Sequence, residues 1–275
     1  MHGDSDYDDL GPGWDEWVKH NVERGCDPRH MFTAMVDSGI DRKQAAQALG
    51  LTNQPLPSTA GDNTTFPYGH IPKSLLSVSQ RIVAKGAPAQ LHLVQDFLTA
   101  EECQRIIDKA KNKFRPSDIT TAEYEPDKNY RTSQTHDFDP QDQFYQQIDR
   151  KISQLVELPL DYAEATQVQH YRRGNEFKQH TDYFEPHSLE WDTFAAENGQ
   201  RTWTVTVYLN HVAEGGHTDF LRLGVSIKPQ PGMAVAWNNL DEFGRGNPDT
   251  LHQGSKVTRG EKYIITKWFR DRTQY

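Results

Sequence analysis

His180 and Asp182 stand two residues apart in the stretch 167–186. On an extended strand both side chains project from the same face, so the spacing offers two ligands to one metal ion. His252, seventy residues on, would add a second imidazole. Two His and one carboxylate on one face of an octahedral metal leave three positions open, the donor set of non-haem Fe(II) oxygenases. Ten residues further, Lys262 opens the run Tyr263, Ile264, Ile265, Thr266, which reads as a strand. A cation there requires an anionic partner, because an unpaired buried ammonium is costly. Alone, His-x-Asp is weak evidence: in a chain with twelve His, chance pairs are expected. The case rests on what surrounds the pair.

The elements that would position these residues are legible as short runs. After Glu164, residues 166–171, 177–182, 201–210, 216–222, 224–228, 234–237 and 262–269 alternate or cluster apolar and β-branched residues between Gly, Pro and Asn. Short strands at this spacing predict an α+β fold whose core is a double-stranded β-helix, or jelly roll, flanked by helices. Along 201–209, Trp203, Val205, Val207 and Leu209 point one way and Thr202, Thr204, Thr206 and Tyr208 the other. The polar face suits either solvent, the commoner case in an antiparallel sheet, or the wall of a hydrophilic pocket. Upstream, 91–94 reads as a strand and 96–110 as a helix with a capping box from Thr99 to Glu102. A second helix is expected over 141–157, where Phe144, Ile148, Ile152 and Leu155 recur at three and four.

The first part of the chain has a different character. Residues 1–13 are acidic with nothing to bury and read as disordered. Residues 14–50 show three apolar patches at helical spacing, with Asp27-Pro28 and Asp41 as helix starts, and predict a small helical module. Such a module would bind a partner or pack on the main domain. Residues 51–88 have linker composition, with a short helix after Pro72, and the main domain is expected over 89–275. The net charge of -9 argues against a broad electrostatic grip on nucleic acid or anionic lipid. Cys26 and Cys103 lie far apart in sequence and read as two reduced thiols rather than a disulfide framework. The acidic N-terminus lacks the pattern of a signal peptide, and no apolar run is long enough to span a bilayer. The expectation is a cytoplasmic protein.

Residues 90–270 resemble the prolyl 4-hydroxylase family of 2-oxoglutarate-dependent Fe(II) dioxygenases. The likeness is carried by Arg131-Thr132-Ser133, Tyr171-x-x-Gly174-x-x-Phe177-x-x-His180-x-Asp182, Tyr208-Leu209-Asn210, Gly215-Gly216-His217-Thr218-Asp219-Phe220, Trp237-Asn238-Asn239 and Leu251-His252-x-Gly254, followed by Gly260-Glu261-Lys262. The resemblance implies that His180, Asp182 and His252 bind Fe(II) and are catalytic. It implies that Lys262 meets the far carboxylate of 2-oxoglutarate, and that Tyr171, Tyr208 and Thr218 bind this cosubstrate or shape its pocket. Arg131 and Arg201 match positions that border the metal from the substrate side. Phe177 stands where the family mostly has Tyr, and His217 where it often has a small or acidic residue.

The cofactors and cosubstrates implied are Fe(II), 2-oxoglutarate and O2, with ascorbate as reductant. The activity implied is hydroxylation of a C–H bond with release of succinate and CO2, most directly of a prolyl residue in a peptide or protein. Asp182 supplies a carboxylate where a halide would need a vacant ligand position, which favours hydroxylation over halogenation. Two alternatives stay open on the sequence. The same chemistry could act on a free amino acid, another peptidyl residue or a small metabolite, or the barrel could be a metal-binding or sensing module without turnover.

Overall fold

A computed structural model describes residues 10, 14, 18–19, 22, 28–37, 40–51, 71–82, 89–117, 130–186, 188–241 and 243–274. The chain divides into two compact units, Met1–Phe66 and Pro67–Tyr275. In the first unit, helices α1 (Pro28–Asp37) and α2 (Arg42–Ala48) bury Met31, Phe32 and Met35 against Ala45, Ala46 and Leu51. Asp41 starts α2 as expected, its carboxylate accepting the backbone N–H groups of Lys43 and Gln44. The expected tail over 1–13, most of the first helix around Trp14, the Asp27 cap and Cys26 lie outside the described residues, as do 52–70 and 83–88 of the linker.

In the second unit, α3 (Lys73–Val78) follows Pro72, and β1 (Gln80–Arg81) pairs antiparallel with β2 (Leu91–Val94). The Thr99 capping box forms as expected and starts α4 (Ala100–Ala110). Next come β3 (Arg115–Pro116), β4 (Gln134–Asp137) and α5 (Gln143–Val156), the last capped by Asp142. Its expected apolar stripe, Phe144, Ile148, Ile152 and Leu155, is buried. Lys109–Asp142 and Lys151–Glu102 ion pairs join the two helices.

The strands then run β5 (Gln167–Tyr171), β6 (Phe177–His180), β7 (Arg201–Tyr208), β8 (Glu214–Gly215), β9 (Thr218–Phe220), β10 (Val225–Ile227), β11 (Ala234–Asn238), β12 (His252–Gly254), β13 (Val257–Arg259) and β14 (Lys262–Arg270). Eight form the major sheet in the order β1-β2-β11-β7-β14-β5-β4-β3, four form a minor sheet, β10-β9-β12-β6, and β13 pairs with β8. All these pairings are antiparallel. Side chains of both sheets, among them Tyr171, Tyr208, Phe220, Val235, Trp237 and Ile264, share one core cluster, which makes this the expected jelly roll. The major sheet is not half-solvated: β7 is buried along both faces from Thr202 to Tyr208. Its polar face therefore lines an interior, the second of the two readings left open by the sequence.

Candidate active site

The minor sheet carries the two imidazoles. His180 ends β6 and His252 begins β12, and the antiparallel register sets them directly opposite each other, with ring centroids 4.3 Å apart. Asp182 was expected on the same strand as His180. The strand stops at His180, and Asp182 sits in the bend that follows. A bend satisfies the two-residue spacing as well as a strand does, because hydrogen bonds rather than the pleat aim the carboxylate. Its Oδ2 accepts from the Thr204 hydroxyl at 2.8 Å, and two bonds between the Phe184 backbone and the Gln200 amide hold the next turn. One ligand atom from each of His180, Asp182 and His252 lies within 4.8 Å of the others.

Each imidazole is oriented by its own backbone. His180 Nδ1 lies 2.7 Å from the Lys178 carbonyl and His252 Nδ1 2.9 Å from the Thr250 carbonyl. A carbonyl only accepts, so each Nδ1 carries the proton and each Nε2 is left as a lone pair for a metal. Phe177 stacks on His180 at 3.6 Å, and Phe220 and Trp237 flank His252. Burial and the neighbouring His252 depress His180 to about 3, which keeps it neutral. Burial pushes the Asp182 carboxyl up, but His252, His180 and Arg201 outweigh it and hold the group below its ordinary value. Two neutral imidazoles and one carboxylate, with neither Nε2 atom hydrogen-bonded among the described residues, fit a divalent metal.

Lys262 lies inside the barrel at 2% exposure, with Nζ 5.2 Å from the Tyr171 ring and 5.6 Å from that of Tyr208. Among the described residues it has no hydrogen bond or ion pair, and burial depresses it to about 7. A Cβ on Gly254 would come within 3.8 Å of this Nζ, so the missing side chain two residues past His252 leaves space beside the cation. An unpaired interior ammonium next to free space fits an anionic ligand. Tyr208 donates to Thr218 Oγ1 at 2.6 Å and Tyr171 to Gln169 Oε1 at 2.8 Å. The four residues expected around the cosubstrate thus fall on the interior side of the metal triad.

On the opposite side opens a cavity of about 520 Å³ lined by Tyr130, Arg131, His180, Asp182, Arg201 and Trp268 among others. Both expected substrate-side arginines are there. Arg131 donates to Ser133 and lies 4.9 Å above the Phe177 ring, its segment bridged to β6 by Thr132 N–H to the Glu176 carbonyl. Residues 130–133 are therefore a fixed wall beside the metal strand. Arg201 is less free, because Nε and Nη2 form a fork on Glu164 at 2.6 and 2.7 Å. Glu164 also accepts from Arg270, whose Nη1 donates to the carbonyls of Phe194 and Gly199. The stretch before β7 contains a π-helical turn, Trp191–Ala195, tied down by that arginine. Glu164, Arg270, Thr204 and Asn239 escaped the sequence reading as site residues. The polar face of β7 signalled Thr204, and Asn239 lay in the Trp237-Asn238-Asn239 segment without a role attached.

A family model described as the 2OG-Fe(II) oxygenase superfamily matches residues 166–270. Prolyl 4-hydroxylase 13 of Arabidopsis thaliana is 31% identical over 196 residues, covering 65% of this chain and 70% of the relative. A putative prolyl 4-hydroxylase of Acanthamoeba polyphaga mimivirus is 32% identical over 181 residues, covering 66% and 74%. Among solved structures, the 2OG complex of a viral collagen prolyl hydroxylase from Paramecium Bursaria Chlorella virus-1 superposes with a TM-score of 0.52 at 26% identity, covering 66% of this chain and 94% of that one.

Proposed function

The chain belongs to the prolyl 4-hydroxylase family of 2-oxoglutarate- and Fe(II)-dependent dioxygenases, and we propose that it hydroxylates prolyl residues of a peptide or protein. His180, Asp182 and His252 would hold the iron, and Lys262 would take the far carboxylate of 2-oxoglutarate. Fe(II), 2-oxoglutarate and O2 together supply an oxidant that converts an unactivated C–H bond to C–OH, with succinate and CO2 released. Ascorbate is the reductant we assign to keep the metal Fe(II).

The chain's own residues divide the work by side. On the interior side, Lys262 neutralises one carboxylate, while Tyr208 and Thr218, already hydrogen-bonded to each other, shape the pocket around the cosubstrate. On the outer side, Arg131 fixes the orientation of the substrate backbone through forked donors. Arg201, held by Glu164, keeps its Nη1 for the same task. Substrate then lies beside the metal without ligating it, and placement is the protein's main contribution.

The observation that carries the peptide reading is the cavity itself. It is lined by His180 and Asp182 together with Tyr130, Arg131, Arg201 and Glu190, and at about 520 Å³ it falls in the size class of pockets for ligands larger than one amino acid. The test offers a proline-rich peptide and free proline side by side, with succinate and the +16 Da product measured together. The proposal expects the peptide to be hydroxylated in step with succinate. Hydroxylation of free proline alone would overturn it.

A further inference from the structure

The two oxygens of Asp182 are treated differently by their surroundings. Oδ1 lies 3.8 Å from His180 Nε2, on the side of the metal ligands, whereas Oδ2 accepts from the Thr204 hydroxyl at 2.8 Å. A threonine hydroxyl has one proton, and Thr204 gives it to Asp182. The Thr204 oxygen must therefore accept from its other neighbour, which is Asn239 Nδ2 at 2.8 Å. Thr204 and Asn239 are completely buried and Asp182 is 6% exposed, so water does not compete.

The direction of this chain is forced. Turning the Asn239 amide over would place its oxygen against an oxygen with no proton left to offer. Asn239 Oδ1 accordingly has no hydrogen-bond partner among the described residues. The backbone of Asn239 is pinned as well, its N–H donating to the Thr202 carbonyl at 2.6 Å and its carbonyl accepting from Asn247 N–H at 2.9 Å. The side chain is anchored at its root and cannot follow Thr204 if that residue moves.

Resting on the metal reading above, we propose that Thr204 and Asn239 are positioning residues that hold Asp182 as a one-oxygen ligand. They keep Oδ2 occupied and away from the metal. A carboxylate free to turn would offer both oxygens and occupy a position that the cosubstrates need.

Metal-free full-length protein is titrated with Co(II) in the absence of 2-oxoglutarate and O2, reading the Kd and the coordination-sensitive visible absorption. Thr204→Val keeps the shape and removes the hydroxyl, and it is expected to raise the Kd by about 10–100-fold and alter the spectrum. Thr204→Ser keeps the hydroxyl and should stay within about threefold of the parent. Asn239→Leu keeps roughly the size and has no donor at any pH, and should behave like Thr204→Val. Thermal unfolding of the metal-free proteins checks folding; if Thr204→Val fails to fold, Asn239→Leu carries the test. Unchanged Kd and spectrum in the folded variants would overturn the relay, as would equal weakening of the Ser and Val variants. Absence of Co(II) binding in the parent would instead overturn the metal reading itself.

Discussion

Lys262 Nζ lies against the faces of Tyr171 and Tyr208 with no ion-pair partner among the described residues, and the charge of Asp219 only partly offsets its burial. Burial depresses it to about 7 against an ordinary 10.5. Below pH 7 it is charged in both folded and unfolded chains. Between there and 10.5 the unfolded chain holds the extra proton, so the unliganded fold gains stability as pH rises through that window. An arriving carboxylate reverses the preference and draws a proton onto Nζ. The affinity for 2-oxoglutarate should therefore fall above pH 7, by up to about tenfold per pH unit, and calorimetric titration at several pH values measures this. Lys262→Met should remove the pH dependence and weaken binding by roughly 2–5 kcal/mol. A variant with the same slope would show that another group takes the carboxylate. On the outer side, Arg131→Ala should slow peptide hydroxylation strongly while sparing uncoupled conversion of 2-oxoglutarate to succinate. Equal loss of both rates would mean that Arg131 supports the fold.

Three neighbouring strand ends meet at Glu164. It precedes β5 and accepts from the first residue of β7, Arg201, and the last of β14, Arg270, which are register partners. Burial pushes Glu164 up, but the two guanidiniums outweigh it and hold its carboxyl below the usual range. Its stabilising contribution is thus present above about pH 4.5 and is lost as pH falls through the folded value. Glu164→Gln leaves two buried cations short of charge and should cost about 3–5 kcal/mol, read by urea unfolding at neutral pH. A cost under about 1 kcal/mol would mean that water reaches these groups. None of this was legible in the sequence, because one acid before a strand says nothing of partners 37 and 106 residues away. What was legible is local. The Thr99 box, the apolar stripe of α5 and the alternation of β7 are each set within one element, and each formed. Strands of two to four residues, such as β1, β3, β4, β8, β12 and β13, are too short to show a period and exist through pairing alone. Asp182 misled in another way, since a spacing of two does not distinguish a strand from a bend.

At the scale of the whole molecule, the jelly roll places its ligands by topology. His180 and His252 are 72 residues apart, yet strand pairing sets them face to face, and the carboxylate comes from the bend that follows β6. The aromatic rings of Phe177, Phe220 and Trp237 fix the imidazoles independently of any bound ion. Removing one ligand should therefore abolish metal binding and leave the fold in place. The most direct test strips the metal, titrates Fe(II) back into the parent and His252→Ala proteins, and measures bound iron together with succinate formed from 2-oxoglutarate. The account predicts one iron per chain and iron-dependent succinate in the parent, and neither in a His252→Ala protein that still melts cooperatively. Wild-type iron content and succinate formation in that variant would contradict it.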